Sequence, residues 1–241
     1  MIIYFIFIGY LTMSSSSVKG LPTNIPVFPL TGALLLPGGR LPLNIFEPRY
    51  LNLVSDSLSA GRVFGMIQHN YEELMVSDRE AEIGVTTDGD NDKFCSIGCI
   101  GKIVYFEETD DGRFLIALRG LCRFKMVKEV NGTNGYRKVK ADYSSYEFDL
   151  EPSRPIKMDR AAILEAVKPY AESQSLQVKY DMLDALPDDT LLTALSMICP
   201  FKPREKQALL ESLYPENRAE MLLALLQMGV FDNDSGLSVR Q

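Results

Sequence analysis

Between Ile25 and Tyr50 the sequence reads IPVFPLTGALLLPGGRLPLNIFEPRY, with prolines at 26, 29, 37, 42 and 48. No helix survives that spacing, because each proline removes a backbone donor and its ring collides with the preceding turn. The β-branched and aromatic run Ile25–Phe28 favours an extended backbone instead. The stretch predicts two or three short strands started or bounded by proline, with Pro37-Gly38-Gly39 as a tight turn between Leu34–Leu36 and Leu41–Ile45. Glu47-Pro48 then opens a helix, since proline suits a first turn and a carboxylate suits the positive end of the dipole. Tyr50, Leu53, Val54 and Leu58 form its buried stripe, and Gly61 ends it.

Downstream, Val63–Gln68 has the short apolar character of a buried central strand. From Phe94 to Phe148 the pattern is a meander, with strands at Ser96–Glu107, Arg113–Arg119, Arg123–Val130 and Tyr136–Glu147. Asp110-Asp111-Gly112 and Asn131–Gly135 supply turns. In the last strand Val139, Ala141 and Tyr143 alternate with Lys138, Lys140 and Asp142, so one face is core and the other solvent. Gly98, Gly101 and Gly120 inside strand-like runs predict the bends that a small closed sheet needs.

Glu151-Pro152-Ser153-Arg154-Pro155 breaks the strand pattern and marks a domain junction. Helical stripes follow: Ile163, Val167 and Tyr170; Leu176, Tyr180 and Leu183; Leu191, Leu192, Leu195 and Ile198, begun by Pro187-Asp188-Asp189. Pro203 starts a helix bearing Leu209, Leu210 and Leu213, and Pro215-Glu216 opens the last. That helix is apolar around more than one face, which leaves two readings. Either it lies centrally in the bundle, or Leu222, Leu223, Leu225 and Leu226 form a partner or self-association face. The expected organisation is a leader over 1–22, a β domain over 23–150, a helical bundle over 156–231 and a disordered tail over 232–241.

Several spaced blocks, in order, resemble the Lon N-terminal domain family, the substrate-binding module of the Lon ATP-dependent proteases. They are Pro26-Val27-Phe28-Pro29-Leu30, Leu36-Pro37-Gly38, Leu41-Pro42-Leu43, Ile45-Phe46-Glu47-Pro48-Arg49-Tyr50, Ile97–Ile103 and Leu118–Phe124, which includes Arg123. The resemblance covers about Asn24–Tyr214 and thins after Phe148. It implies an α+β protein: a PUA-like β pseudo-barrel with one early helix, then a helical bundle. Pro29, Pro37, Gly38, Pro42, Phe46, Glu47, Pro48, Arg49, Tyr50, Gly98, Gly120 and Arg123 are the signature positions. Their expected role is mainly architectural, with Glu47 or Arg49 pairing with a strand neighbour, or Arg49 offering its guanidinium to a peptide carboxylate.

Chemistry is excluded position by position. Asp88–Asp92 begins like a calcium loop, but the sixth and twelfth places hold Lys93 and Cys99 where glycine and glutamate are required. Gly101-Lys102 is followed by Ile103 and preceded five residues earlier by Ser96, so it is no phosphate loop. His69, the only histidine, has no nucleophile and orienting partner in view, and Cys95, Cys99, Cys122 and Cys199 lack the paired spacing of a zinc site. No GxSxG elbow occurs. Cysteine usage of this kind fits a reducing, cytoplasmic setting.

The 25 basic residues against 32 acidic ones split evenly along the sequence, which argues against a broad phosphate-tracking surface. Met1–Leu11 is apolar but, at about half the length needed to span a bilayer, it predicts no membrane helix. A start at Met13, a signal or anchor, and an additional strand are its three readings. The function expected is a non-enzymatic module without cofactor or metal that binds unfolded or exposed polypeptide segments through an added strand or an apolar groove. An RNA-binding or small-ligand-binding PUA-like protein is the alternative, though no nucleic-acid or membrane partner is expected.

Overall fold

The computed structural model describes residues 20–70, 94–132, 134–152 and 154–237, with side chains through Val230. The expected leader to Lys19, the Tyr71–Glu82 loop, the acidic turn Asp88–Asp92 and residues 238–241 lie outside that range. The protein divides between Leu150 and Glu151 into two compact units.

The first unit is built on six strands: β1 (Asn24–Pro29), β2 (Arg40–Ile45), β3 (Val63–Ile67), β4 (Ile97–Glu108), β5 (Phe114–Val130) and β6 (Arg137–Asp142). They pair in the order β2-β5-β4-β3-β1-β6, and β6 also pairs with β5. That extra ladder closes β5-β4-β3-β1-β6 into a ring and leaves β2 outside it. All neighbours are antiparallel except β1 and β3. Inward side chains fill the ring, among them Ile25, Val27, Ile100, Phe124 and Val139, each fully buried.

β5 corrects the expectation of two strands at 113–119 and 123–130. It is one strand of 17 residues that changes partner, pairing with β2 as far as Arg119 and with β6 from Lys125. Gly120 sits at the change. A Cβ there would lie 2.1 Å from the Leu36 carbonyl oxygen, because the Leu36–Gly39 turn is laid directly on this residue. Gly38 N–H donates to Gly120 O and Gly120 N–H to Gly39 O, while Gly39 N–H closes the turn on Leu36 O. With Pro37 second and Gly38 third at φ +78°, the turn has the signature of type II.

Leu34–Leu36, expected as a strand, are irregular yet buried to 2% exposure or less. Their side chains are core, with Leu35 lying over Gly101. The last strand is shorter than expected, for Ser144–Leu150 forms a 3-10 segment in which the Ser144 N–H is taken by Asp142. Helix α1 (Pro48–Ser59) starts at its proline as predicted and buries Tyr50, Leu53, Val54 and Ser57. It ends through Gly61 and Arg62, both at positive φ.

The second unit holds α2 (Arg160–Ser173), α3 (Tyr180–Asp184), α4 (Asp188–Ile198), α5 (Pro203–Glu211) and α6 (Pro215–Leu237). Asp159 caps α2 by accepting from Ala162 N–H at 3.0 Å. The Leu176–Leu183 stripe reduces to the single turn of α3, because Ser175 takes φ +54° and Lys179 is extended. Only Leu183 of that stripe is buried.

α6 packs against α2, α4 and α5, which accounts for its wide apolar arc. Leu222, Leu225 and Leu226 are buried and Leu223 half-buried, so these leucines face the bundle instead of forming an open patch. Among the described residues of α6 the exposed large apolar side chains are Met221 and Met228. A Cβ at Gly229 would stand 2.5 Å from the Tyr170 ring, so glycine lets α2 approach closely. The helix continues to Leu237, into the segment expected to be a tail.

Candidate functional site: a ribbon beyond the ring

β2, the first half of β5 and the second half of β4 extend past the closed ring as a three-stranded ribbon. β4 pairs with β3 only from Cys99 to Lys102, and the Ile103 N–H is then taken by Arg62 O at 2.8 Å. From Val104 to Glu108 no described strand pairs with its outer side. A bulge between Ile103 and Tyr105 re-aims the side chains there. Val104, Tyr105 and Phe106 are left exposed, at 44, 48 and 38%.

Register fixes what stands beside them. One row runs Phe106–Ile116–Leu43, the next on that face Glu108–Phe114–Ile45. The Phe106 and Phe114 rings meet edge to face, centroids 5.0 Å apart. Phe46, next after Ile45, is 64% exposed, the most exposed large apolar residue described. It stands roughly 10 Å, or two strand spacings, from β4. The Tyr105 hydroxyl donates to the Glu107 carboxylate two residues on, and that bond raises the tyrosine's pKa.

The signature positions separate into buried and exposed groups. Tyr50 is buried against Phe28, with centroids 4.3 Å apart, and Gly98 lies under Phe124. Arg123 is 1% exposed; its Nε and Nη2 donate to Asp149 Oδ2 and Oδ1 at 2.9 and 2.8 Å, and its own N–H to Oδ2 at 3.0 Å. Tyr146 and Phe148 lie on its guanidinium, at 4.5 and 5.5 Å. Arg123 is therefore a structural lock between β5 and the 3-10 segment.

Pro29 and Pro37 are half-buried, Gly38 is exposed in its turn, and Pro42 is exposed on the outermost strand, where a missing N–H interrupts the edge. Phe46, Pro48 and Arg49 are exposed outright. Glu47 and Arg49 pair with each other at 3.0 Å. Arg49 also lies over the Tyr50 ring at 4.7 Å. The exposed half of the signature thus clusters from the end of β2 to the start of α1.

Sequence reasoning passed over Val104, Tyr105 and Phe106. Their signal was three apolar residues in succession within a strand, which puts apolar groups on both faces where alternation would reserve one for water.

Other features of this unit are built differently. An open cleft of about 360 Å³ lies between the end of α1 and the starts of β1 and β6, lined by Pro22, Asn24, Asp56, Ser57, Tyr136 and Lys138. Tyr136 and Asn134 donate to Asp56 Oδ2 at 2.7 and 2.9 Å and lower its pKa. His69 packs edge-on against Phe94, and the Cys95 thiol donates to the His69 carbonyl. All four cysteines are free thiols. Among the described residues no cluster of three metal-ligating side chains occurs, and no helix is long and apolar enough to cross a membrane.

Residues 24–228 match the family model of the ATP-dependent protease La (LON) substrate-binding domain. This chain belongs to that family. Among relatives of the Lon substrate-binding domain, the Lon protease of Buchnera aphidicola subsp. Baizongia pistaciae (strain Bp) is 28% identical over 207 residues, 84% of this chain but 24% of that protein. Cereblon of Gallus gallus is 26% identical over 118 residues, covering 48% of this chain and 23% of cereblon.

The Lon N-terminal domain protein from Xanthomonas campestris superposes with a TM-score of 0.54 at 25% identity, covering 84% of this chain and 98% of the other. The N-terminal domain of Mycobacterium avium complex Lon protease gives 0.51 at 15% identity, over 84% and 97%, a likeness of fold alone. The protein spans about a quarter of the Lon protease it matches. The match falls on the substrate-binding domain of Lon and not on its protease or ATPase domains.

Proposed function

We propose that this protein is a polypeptide-recognition module that holds exposed or unfolded segments of other proteins, serves protein quality control, and makes or breaks no bond of its own. The observation that carries this reading is the apolar ribbon, where Val104, Tyr105, Phe106 and Phe46 stand in water on a rigid sheet beside unpaired strand edge. A family described as substrate-binding supports the same reading. Pro42 interrupts one edge and the Val104 bulge the other, so contact through side chains contributes more than an added strand does. Four free thiols fit a reducing, cytoplasmic setting.

The test is fluorescence anisotropy with a labelled apolar peptide, comparing wild type with a Phe46→Ser/Tyr105→Ser/Phe106→Ser variant. Aromatic side chains bury about 150–250 Å² each, so the variant should lose at least about tenfold in affinity while its circular dichroism is unchanged. Equal binding by the folded variant would reject the ribbon as the site. ATP or peptide turnover by the purified protein would reject the non-enzymatic reading.

A further inference from the structure

The face of the ribbon that carries Tyr105 also carries a row of like charges. Lys102 pairs with Arg119 across β4 and β5, and Arg119 pairs with Arg40 across β5 and β2. Three cations thus stand directly opposite one another in adjacent strands, with Cβ atoms about 5 Å apart, and for Lys102 beside Arg119 that arrangement costs stability unless an anion is present. Lys102 and Arg40 are exposed and Arg119 is half-buried. Neither Lys102 nor Arg119 makes an ion pair within the described residues.

The next row on this face is Tyr105–Ala117–Pro42, apolar and partly exposed, and the one after it is Glu107–Leu115–Asn44. Beyond lies Asp110 in the hairpin turn, exposed and without an ion pair among the described residues. Along about 20 Å of strand the surface therefore passes from cationic through apolar to anionic.

We propose that this face selects polypeptides by charge: the Lys102–Arg119 pair takes a carboxylate, and the Tyr105–Ala117–Pro42 strip takes the apolar residues beside it. The carboxylate is that of an Asp or Glu side chain or the terminal carboxylate of a polypeptide, one chemistry from two sources. The acidic hairpin at the far end repels a second carboxylate and so sets the direction in which the segment lies. This deepens the polypeptide reading above and rests on it.

Three labelled hexapeptides of the same apolar sequence decide the matter at low salt: one with a free C-terminus, one amidated, and one amidated with Asp as its last residue. At least one carboxylate peptide should bind about fivefold more tightly than the neutral amide, and which one does so identifies the source. The difference should vanish in Lys102→Gln/Arg119→Gln, shrink at high salt, and reverse toward a Lys-ended peptide in Arg119→Glu. These side chains are not core groups, so the variants keep the fold.

Equal binding of all three peptides would overturn the charge selection and leave the polypeptide reading in place. Binding of none would overturn both. A preference that persists in the double variant would overturn the assignment to this pair, and so would an RNA oligonucleotide that binds more tightly than every peptide and is lost with the two cations.

Discussion

Removing the carboxylate of Asp149 tests how the barrel is held closed. In the Arg123–Asp149 pair the two side chains are 1 and 7% exposed, and Asp149 accepts three hydrogen bonds from Arg123. Asp149→Ala leaves a guanidinium buried between Tyr146 and Phe148 with its main counter-ion gone. Breaking a buried pair from one side costs about 3–5 kcal/mol, because the surviving charge remains desolvated. The two rings contribute about 0.5–2 kcal/mol that is already present in the native protein, and so do not lower the loss. At about 2–4 °C per kcal/mol for a protein of this size, the midpoint should fall by roughly 6–20 °C.

The companion Arg123→Met/Asp149→Leu removes both charges and should recover most of the loss, since desolvation is the larger part of it. Thermal unfolding for the midpoint and urea unfolding for the free energy, each followed by far-UV circular dichroism and tyrosine fluorescence, are the assays, as the protein has no tryptophan. Separate transitions for the two units must be fitted separately. An Asp149→Ala protein within about 1 kcal/mol of wild type, or a double variant no better than the single, would refute the reasoning.

Gly120→Ala places a methyl on the Leu36 carbonyl and should destabilise by at least about 2–3 kcal/mol, read as a lower urea midpoint or loss of soluble protein. Arg160 joins α2 to the α3–α4 turn by donating to Leu183 O, Asp184 O, Leu186 O and Asp188 Oδ1, so Arg160→Ala should cost about 1–3 kcal/mol in the helical unit's transition. Burial first, and then the Asp149 carboxylate, push the Cys122 thiol up to about 12, and burial does the same for Cys199. The folded state therefore keeps protons that the unfolded state loses above about pH 8.5, and stability is full below that point and falls as pH rises toward 12. Urea midpoints measured from neutral to about pH 10.5 should decline, and a flat profile would contradict the assignment. A thiol reagent at neutral pH should label half-buried Cys95 in the native protein and the other three only on unfolding.

Local chemistry made much of this fold legible. Prolines 26 to 48 excluded helix because the constraint acts within one residue of each ring, and Pro48 opened α1 for the same reason. The alternation of Val139, Ala141 and Tyr143 fixed which face of β6 is core. Resemblance supplied the family, and the signature positions it named include both the buried lock at Arg123 and the exposed corner from Phe46 to Arg49. No property of those residues alone separates the two groups. Arg123 is buried because Asp149, 26 residues away, meets it, whereas Arg49 finds its partner two residues away and stays in water.

Tertiary pairing decided the rest. β5 is a single strand because β2 and β6 take its two halves in turn, a choice absent from its own 17 residues. The leucines of α6 became interior because three other helices cover them. The candidate site depends on register most of all: Lys102, Arg119 and Arg40 lie far apart in sequence and become neighbours only through the β2–β5–β4 ladder. Propensity is settled within a few residues of backbone, whereas a row across a sheet exists only after distant segments have paired, and a slip of one residue would turn its members to opposite faces.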